Sequence, residues 1–184
     1  RLRLNPISQR HVATGSRAGV WLIVCEPADE TARYCRECGA MGRARSSWRR
    51  RFAHTPVGQH AVHLLVRIRR YECMACARSW TDDLTHIADE ERRLTDAAVW
   101  WAAAEVALKS KSVLACAHDL HCSWGALNRA VLEKGMDVLA AGPHRLDGVE
   151  AIGVDEHVWR HTRTGGRYVT VIVDLTPRRK GRPA

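Results

Sequence analysis

The sequence contains no apolar run long enough to cross a membrane, and no secretory signal peptide is visible at its start. Its seven cysteines cannot all pair in disulfides, and most of them are explained as metal ligands or core residues. No amphipathic anchor accompanies the basic segments, which disfavours a membrane partner. We therefore expect neither a membrane protein nor a disulfide framework, and we predict a reducing, cytoplasmic setting.

Two closely spaced cysteine pairs, Cys35/Cys38 and Cys73/Cys76, form the strongest motif of the chain. Each pair can present two sulfurs from one tight turn to the same side of Zn²⁺, which prefers four tetrahedral ligands. Residues 31–82 are therefore predicted to form a zinc ribbon, with a long insertion looping out between the two knuckles. Four reduced, buried cysteines are the plainer alternative. A redox pair would need a βαβ setting instead of basic, strand-like surroundings.

The segment just before the second cysteine pair predicts a strand. Residues 60–71 have the β-branched and aromatic content typical of a strand that leads into a metal knuckle. His54, His60 and His63 also lie between the pairs, but four thiolates already complete a closed structural site. The histidines are therefore not expected to be ligands.

Positive charge is concentrated around the cysteine pairs. Residues 31–80 hold eleven arginines and two glutamates, which accounts for the net charge of +9. Guanidinium groups match phosphate oxygens and an indole can stack on bases, so we expect a nucleic acid partner. A merely solvated basic loop and an anionic membrane surface are the alternatives. The densest patch consists of Arg43, Arg45, Trp48, Arg49, Arg50 and Arg51.

Regular structure is predicted on both sides of the cysteine region. The apolar run 20–25, which ends before Pro27, indicates a buried strand with Cys25 in the core, whereas residues 1–18 show no clear period. From Leu94 the period becomes helical, and acidic residues precede it. This pattern predicts a helix over 94–108.

Two further helices are predicted over 112–120 and 123–134, the second stopped by Gly135. The short break at His121 and Cys122 favours a helix-turn-helix, because small and apolar positions would meet where the helices cross. The inner positions are Cys116, Ala117, Leu120, Cys122, Leu127, Ala130 and Val131.

The second helix of such a motif would contact DNA bases. Ser123 can cap this helix, while Trp124 in its first turn and the outward residues Asn128 and Arg129 would face the major groove. His121 occupies a turn position where glycine is frequent, which predicts a distorted turn. An ordinary helical hairpin is the alternative.

A linker and then a β-hairpin are predicted at the end of the chain. Residues 136–150 contain two glycine turns and few periodic apolar positions. Strands over 151–159 and 168–175 flank a turn at 164–166. Asp155 stands within the apolar first strand, where burial would require a partner or a metal, so it is the best catalytic candidate. A strand aspartate bonded to a nearby amide or arginine is the alternative.

Together these motifs resemble the ISL-three family of bacterial insertion-sequence transposases over about residues 20–184. Members of that family combine an N-terminal zinc ribbon, a helix-turn-helix and a C-terminal DDE domain with a ribonuclease-H-like fold. The resemblance is carried by the two cysteine pairs, by segments 56–58 and 66–73, by segment 120–128, and by segment 152–156 followed by 168–170.

The resemblance implies that Asp155 is the first carboxylate of a triad holding two Mg²⁺ ions for in-line attack on a phosphodiester. The family's second aspartate and its glutamate would lie beyond Ala184, so this chain alone is expected to bind DNA without cutting it. Its start at Arg1 instead of methionine is compatible with a cut end. The implied partner is duplex DNA, as terminal inverted repeats and as target. An unfinished sheet with open edges also allows a homo-oligomer.

The predicted fold class is thus multi-module α+β. Its modules are an N-terminal strand region (1–30), a zinc ribbon (31–82), a helical helix-turn-helix domain (89–135), a linker (136–150) and the first β-hairpin of a truncated ribonuclease-H-like domain (151–184). The predicted cofactors are structural zinc and, for the complete catalytic domain, magnesium. Two other functions stay open: a non-enzymatic zinc-containing DNA-binding regulator or transposase remnant, and a zinc-ribbon module that binds RNA or acts in transcription.

Overall fold

The computed structural model describes residues 2–14, 17–142, 144, 146–158 and 168–179. It is a mixed α+β structure that divides into two compact units, Arg1–Asp137 and Val138–Ala184. Within the described residues, no helix combines the length and the apolarity needed to cross a membrane. The finer module boundaries stay predictions.

The first unit is built on a five-stranded sheet with the order β1-β2-β4-β3, and β5 also pairs with β4. The pairs β1/β2, β3/β4 and β4/β5 are antiparallel, whereas β2 and β4 are parallel. The strands predicted at 20–25 and 60–71 are confirmed as parts of longer strands. The bounds are β1 Leu4–Thr14, β2 Arg17–Pro27, β3 Arg43–Val57, β4 His60–Glu72 and β5 Ser79–Thr81.

Strand β1 is not predicted by the sequence. It lies at the edge of the sheet and pairs with β2 from Leu4 opposite Pro27 to Thr14 opposite Arg17. Most of its side chains are exposed, so neither face needs apolar residues and no alternation marks the strand.

The arginine-rich segment between the cysteine pairs forms a strand, which corrects the predicted loop. Strands β3 and β4 make a long hairpin that turns at Gly58, whose φ of 58° lies in the left-handed region. All residues from Arg43 to Arg49 are exposed, and the first buried residue of β3 is Phe52. Because the outer half of this strand buries nothing, its sequence shows no strand period.

One face of the sheet packs against the segment that follows β5. Leu84, Ile87 and Ala88 cover the centre of this face and close a hydrophobic core. The strand residues that this core buries are Cys25, Phe52, Val62, Leu64, Val66 and Ile68.

Three helices follow the sheet along the chain and share a second core. They are α1 (Asp96–Lys109), α2 (Val113–Leu120) and α3 (Trp124–Ala141). The hydroxyl of Thr95 accepts the Ala98 N–H and so caps α1, and the hydroxyl of Ser112 caps α2 in the same way. Helix α2 packs against β3 and β4, which joins the helices to the sheet. The helices predicted over 94–108 and 112–120 are confirmed to within two residues.

Helix α3 continues past its predicted end. Gly135 was expected to stop the helix, yet it has no positive φ, and α3 runs on to Ala141. A glycine inside a helix costs about 1 kcal/mol relative to alanine, which neighbouring residues can offset. The first residues of the predicted linker 136–150 are therefore helical.

The second unit contains a two-stranded antiparallel hairpin and a short helix. Strand β6 (Ile152–Val158) pairs with β7 (Tyr168–Asp174), and α4 (Thr176–Arg179) follows. The two predicted strands are confirmed. Trp159 and the predicted turn at 164–166 lie outside the described residues.

Candidate functional site

The four predicted zinc ligands come together in one cluster. The sulfur atoms of Cys35, Cys38, Cys73 and Cys76 all lie within 4.8 Å of one another. Three of the separations are 3.6 Å (Cys35 to Cys76), 3.4 Å (Cys38 to Cys73) and 3.7 Å (Cys38 to Cys76). Tetrahedral Zn²⁺ with Zn–S bonds of about 2.3 Å requires sulfurs about 3.8 Å apart. The cluster therefore fits a metal ion such as zinc.

The two cysteine turns have the same backbone hydrogen bonds. The N–H of Gly39 donates to the carbonyl of Cys35 (2.9 Å), and the N–H of Ala77 donates to the carbonyl of Cys73 (3.0 Å). Gly39 and Ala77 both have a left-handed φ, of 71° and 55° respectively. The sequence identifies this position only in the first turn, where glycine marks it. Ala77 adopts it at a cost of roughly 1–2 kcal/mol.

Backbone amides favour the thiolate at the first cysteine of each turn. The N–H groups of Cys76 and Ala75 donate to the sulfur of Cys73 and lower its pKa to about 7. The N–H groups of Cys38 and Glu37 lower the pKa of Cys35 in the same way. Metal ligation needs deprotonated sulfur, and these two residues reach that form most readily.

The second cysteine of each turn behaves differently. At Cys76 the Arg78 amide lowers the pKa, but the hydrogen bond to Cys73 and burial outweigh it and raise the pKa to about 12. At Cys38 the pKa is also raised, because the hydrogen bond to Cys73 and burial outweigh the Ala40 amide. A cation at the centre of the cluster would favour all four thiolates.

Residues around the cluster hold the two turns together. The indole of Trp80 stacks on Tyr71 with ring centres 5.7 Å apart and donates to the carbonyl of Ala32 (2.7 Å). A side chain at Gly42 would meet this indole at 2.5 Å, so only glycine fits there. Asp82 accepts the Tyr71 hydroxyl at 3.2 Å. The sequence contains no local pattern that pairs these residues, because they are distant along the chain.

Strand alternation divides the three consecutive arginines of β3. Arg49 and Arg51 lie on one face of the sheet, whereas Arg50 lies on the other. The half-buried guanidinium of Arg50 donates to the carbonyls of Glu90 and Arg92 and lies over the ring of Phe52. Arg50 therefore holds the segment around residues 90–92 against the sheet.

The other members of the predicted basic patch are exposed. Arg43 and Arg45 lie near the start of β3, and Arg45 forms an ion pair with Glu72. The side chain of Trp48 is 46% exposed. It shares the face of Arg50, so it lies on the opposite side of the sheet from Arg49 and Arg51.

The turn between α2 and α3 combines a left-handed residue, a capping hydroxyl and the predicted inner positions. His121 adopts a left-handed conformation (φ 48°, ψ 49°), which a glycine would adopt more readily. The hydroxyl of Ser123 accepts the Ala126 N–H at 3.3 Å and caps α3. All seven predicted inner positions lie in one core or against it. Burial raises the pKa of Cys122 to about 11, in agreement with a core role.

The start of α3 exposes the predicted contact residues to different degrees. Trp124 is 53% exposed and Arg129 is exposed, whereas Asn128 is half-buried. A cavity of about 570 Å³ brings Ser123 and Arg129 together with Arg51 of the sheet. Carboxylates also line this cavity: Asp89, Glu91 and Glu133.

Asp155 is exposed in β6, so its carboxylate does not bear the cost of burial. Its strand has one partner strand and no covering layer among the described residues, and Asp155 stands opposite Val171. Its carboxylate accepts the N–H of Glu156 at 2.9 Å. Within the described ranges, the four cysteines form the only group of His, Cys, Asp or Glu residues close enough to hold a metal. Asp155 therefore has no neighbouring ligand set here.

No protein-family model, curated protein or solved structure matches the chain. The resemblance to the transposase family therefore rests on the sequence motifs. The geometry adds a compact four-sulfur cluster and a capped helix α3 that shares a core with α2, which packs on the sheet.

Proposed function

We propose that this chain is the DNA-binding part of an ISL-three-type insertion-sequence transposase and binds the terminal inverted repeats of the element. Structural Zn²⁺ is held by Cys35, Cys38, Cys73 and Cys76. The observation that carries the proposal is the presence, in the first unit, of a compact four-sulfur cluster and of the capped turn from α2 into α3. Both are common parts of DNA-binding proteins.

Helix α3 is the proposed recognition element of a helix-turn-helix. Its inner side is apolar and packs on α2, which leaves its first turn exposed. Arginine can bind guanine through two hydrogen bonds, and asparagine can bind adenine in the same way. Arg129 and Asn128 are therefore the proposed base contacts, with Trp124 and the capped end at Ser123 beside the backbone.

The catalytic part of the proposal concerns the complete enzyme. Asp155 supplies one carboxylate of a DDE site, and two further carboxylates are needed to hold a pair of Mg²⁺ ions. The described residues bring no such partners to Asp155. The chain alone is therefore expected to bind duplex DNA and to leave it uncut.

Selection from a pool of random-sequence duplexes tests the recognition role. The chain should enrich one sequence, and Asn128→Ala or Arg129→Ala should reduce the preference by about 1–3 kcal/mol, roughly ten- to a hundredfold. Lys109→Ala at the exposed end of α1 is the control and should keep the preference. Enrichment of no sequence, or an equal loss in the control, would overturn the proposal.

A DNA-binding regulator without catalytic activity is the second candidate, and the exposed, isolated carboxylate of Asp155 favours it. The discriminating assay incubates the selected duplex with the chain and Mg²⁺ or Mn²⁺, beside Asp155→Ala. Cleavage that requires Asp155 would exclude the regulator and also contradict the expected inactivity of the chain. An Asp and a Glu in strand and helix contexts downstream of Ala184 would support the transposase.

A further inference from the structure

One face of the sheet in the first unit carries arginines from two neighbouring strands. Arg49 of β3 stands opposite Arg67 of β4, and the guanidinium of Arg67 donates to the hydroxyl of Ser47 at 3.3 Å. Side chains two residues apart on a strand share a face. The side of the sheet opposite to the core of Phe52 and Val66 therefore carries four arginines, which we call the arginine face: Arg49, Arg51, Arg67 and Arg69.

Among the described residues, protein covers both ends of this side of the sheet: Tyr71 is buried at the end near the cysteine cluster, and helix α2 covers the other end. At that end His63 is 3% exposed and hydrogen-bonded to the carbonyl of Leu120 in α2. Farther along the same strand the side chain of Arg67 is 48% exposed, and Arg49 on the neighbouring strand is exposed. The arginine face is thus open to solvent between the helices and the cysteine cluster.

Carboxylates balance the positive charge of the arginine face mainly at its Arg69 end. Glu26 pairs with both Arg67 and Arg69, the buried Asp82 accepts the hydroxyl of Tyr71, and Asp29 and Glu30 line a cavity with Arg69. Arg51 is bonded to a histidine, and no described hydrogen bond or ion pair holds Arg49. The positive excess therefore lies on the side of Arg49, Arg51 and Arg67, and such an excess attracts a polyanion.

The chemistry of this face favours a duplex over a single strand. Proteins that bind single strands stack bases on exposed aromatic rings. On the arginine face Tyr71 is buried against Asp82, and the exposed Trp48 lies on the other side of the sheet. Arg49 and Arg51 are two residues apart, so their backbones are roughly 7 Å apart along the strand. Such a row of cations suits a phosphate backbone.

The helices and the arginine face meet at one residue. Arg51 lines the same cavity as Ser123 and Arg129 of α3. Asp89, Glu91 and Glu133 line this cavity too, so the phosphate contacts are expected from Arg51 outward, where the remaining arginines continue along the sheet.

We propose that the arginine face binds the phosphate backbone of duplex DNA beside α3, with Arg67 and Arg69 as contacts in addition to Arg49 and Arg51. This inference rests on the proposed function and identifies a second contact surface for the same duplex. Since these contacts reach phosphates only, they raise affinity without selecting a sequence.

The salt dependence of binding tests this surface. With a random-sequence duplex, Arg49→Gln and Arg67→Gln should each reduce the slope of log K against log salt by about one. Arg70→Gln is the matched control, because Arg70 is exposed on the same strand but faces the other side. A slope change of equal size in Arg70→Gln would overturn the proposal. So would tighter binding of a single-stranded RNA of equal length.

A gain of affinity provides a test that misfolding cannot imitate. Glu26→Gln removes the carboxylate that pairs with Arg67 and Arg69, so it should strengthen duplex binding and make the slope steeper. Unchanged or weaker binding would count against the arginine face. If the unmodified chain binds no duplex, the proposed function itself fails. If it selects a sequence while Arg49→Gln and Arg67→Gln keep the original slope, only the arginine face fails.

Discussion

His63 on β4 donates a hydrogen bond through Nε2 to the carbonyl oxygen of Leu120, the last residue of α2, over 2.8 Å. A carbonyl can only accept, so Nε2 carries the proton, and Nδ1 accepts the Nε–H of Arg51 at 2.6 Å. The neutral imidazole thus links the sheet to a helix end. Desolvation of the buried ring, with the nearby charges of Arg51 and His121, holds the pKa of His63 below its usual 6.5.

This link predicts a loss of stability in mild acid. Below about pH 6.5 the unfolded chain binds a proton at His63 before the folded chain does, so the free energy of unfolding falls as the pH is lowered from there toward the depressed folded pKa. In His63→Gln the amide can still donate to Leu120 but does not titrate. Thermal unfolding between about pH 5 and pH 7 should therefore show a weaker pH dependence in the variant. Some dependence should remain, because burial also lowers the pKa of His54. An equal slope in both proteins would exclude this role for His63.

Metal removal is predicted to unfold the cysteine region. The purified chain should contain about one zinc ion, because four thiolates complete one closed tetrahedral site. Cys73→Ser or a strong chelator should abolish both the metal and the fold around the two knuckles, since binding and folding of such sites are coupled. Elemental analysis and circular dichroism measure the two effects. A metal-free chain with unchanged spectra would refute the zinc site.

Neighbouring arginines of β3 are predicted to have different effects on stability. Arg50→Ala removes hydrogen bonds to the carbonyls of Glu90 and Arg92 and should lower the free energy of unfolding by about 1–2 kcal/mol. Arg49→Ala removes no described hydrogen bond and should change it by less than about 0.5 kcal/mol. Urea titration of the two variants provides the comparison. Equal destabilisation would contradict the opposite orientation of these side chains.

The two cysteine turns predict opposite effects of exchanging glycine and alanine. Gly39→Ala should destabilise the metal-bound protein by roughly 1–2 kcal/mol, because its φ of 71° disfavours a side chain although open space surrounds it. Ala77→Gly should be neutral or stabilising, because the same backbone conformation is already strained by a side chain there. Thermal unfolding with saturating zinc measures both. If Ala77→Gly were destabilising, the left-handed conformation of Ala77 would not be what limits the stability of the second turn.

Much of the helical region could be predicted from local residue patterns. Thr95 and Ser123 mark helix starts because a hydroxyl caps free N–H groups at that position. The apolar inner positions of α2 and α3 recur with the helical period and are buried as predicted. The end of α3 could not be predicted, because Gly135 lowers helix stability without preventing the helix from continuing.

The sequence by itself determined which residues can form the metal cluster. Tetrahedral zinc needs four sulfurs, and two tight turns supply them at recognisable spacings. The tertiary structure alone decided how strands far apart in sequence pair, such as β2 beside β4. That pairing depends on packing between distant segments and leaves no local signature. The tertiary structure also decided that Arg50 faces the core side while Arg49 and Arg67 share an open face. Side-chain direction follows from strand pairing and alternation.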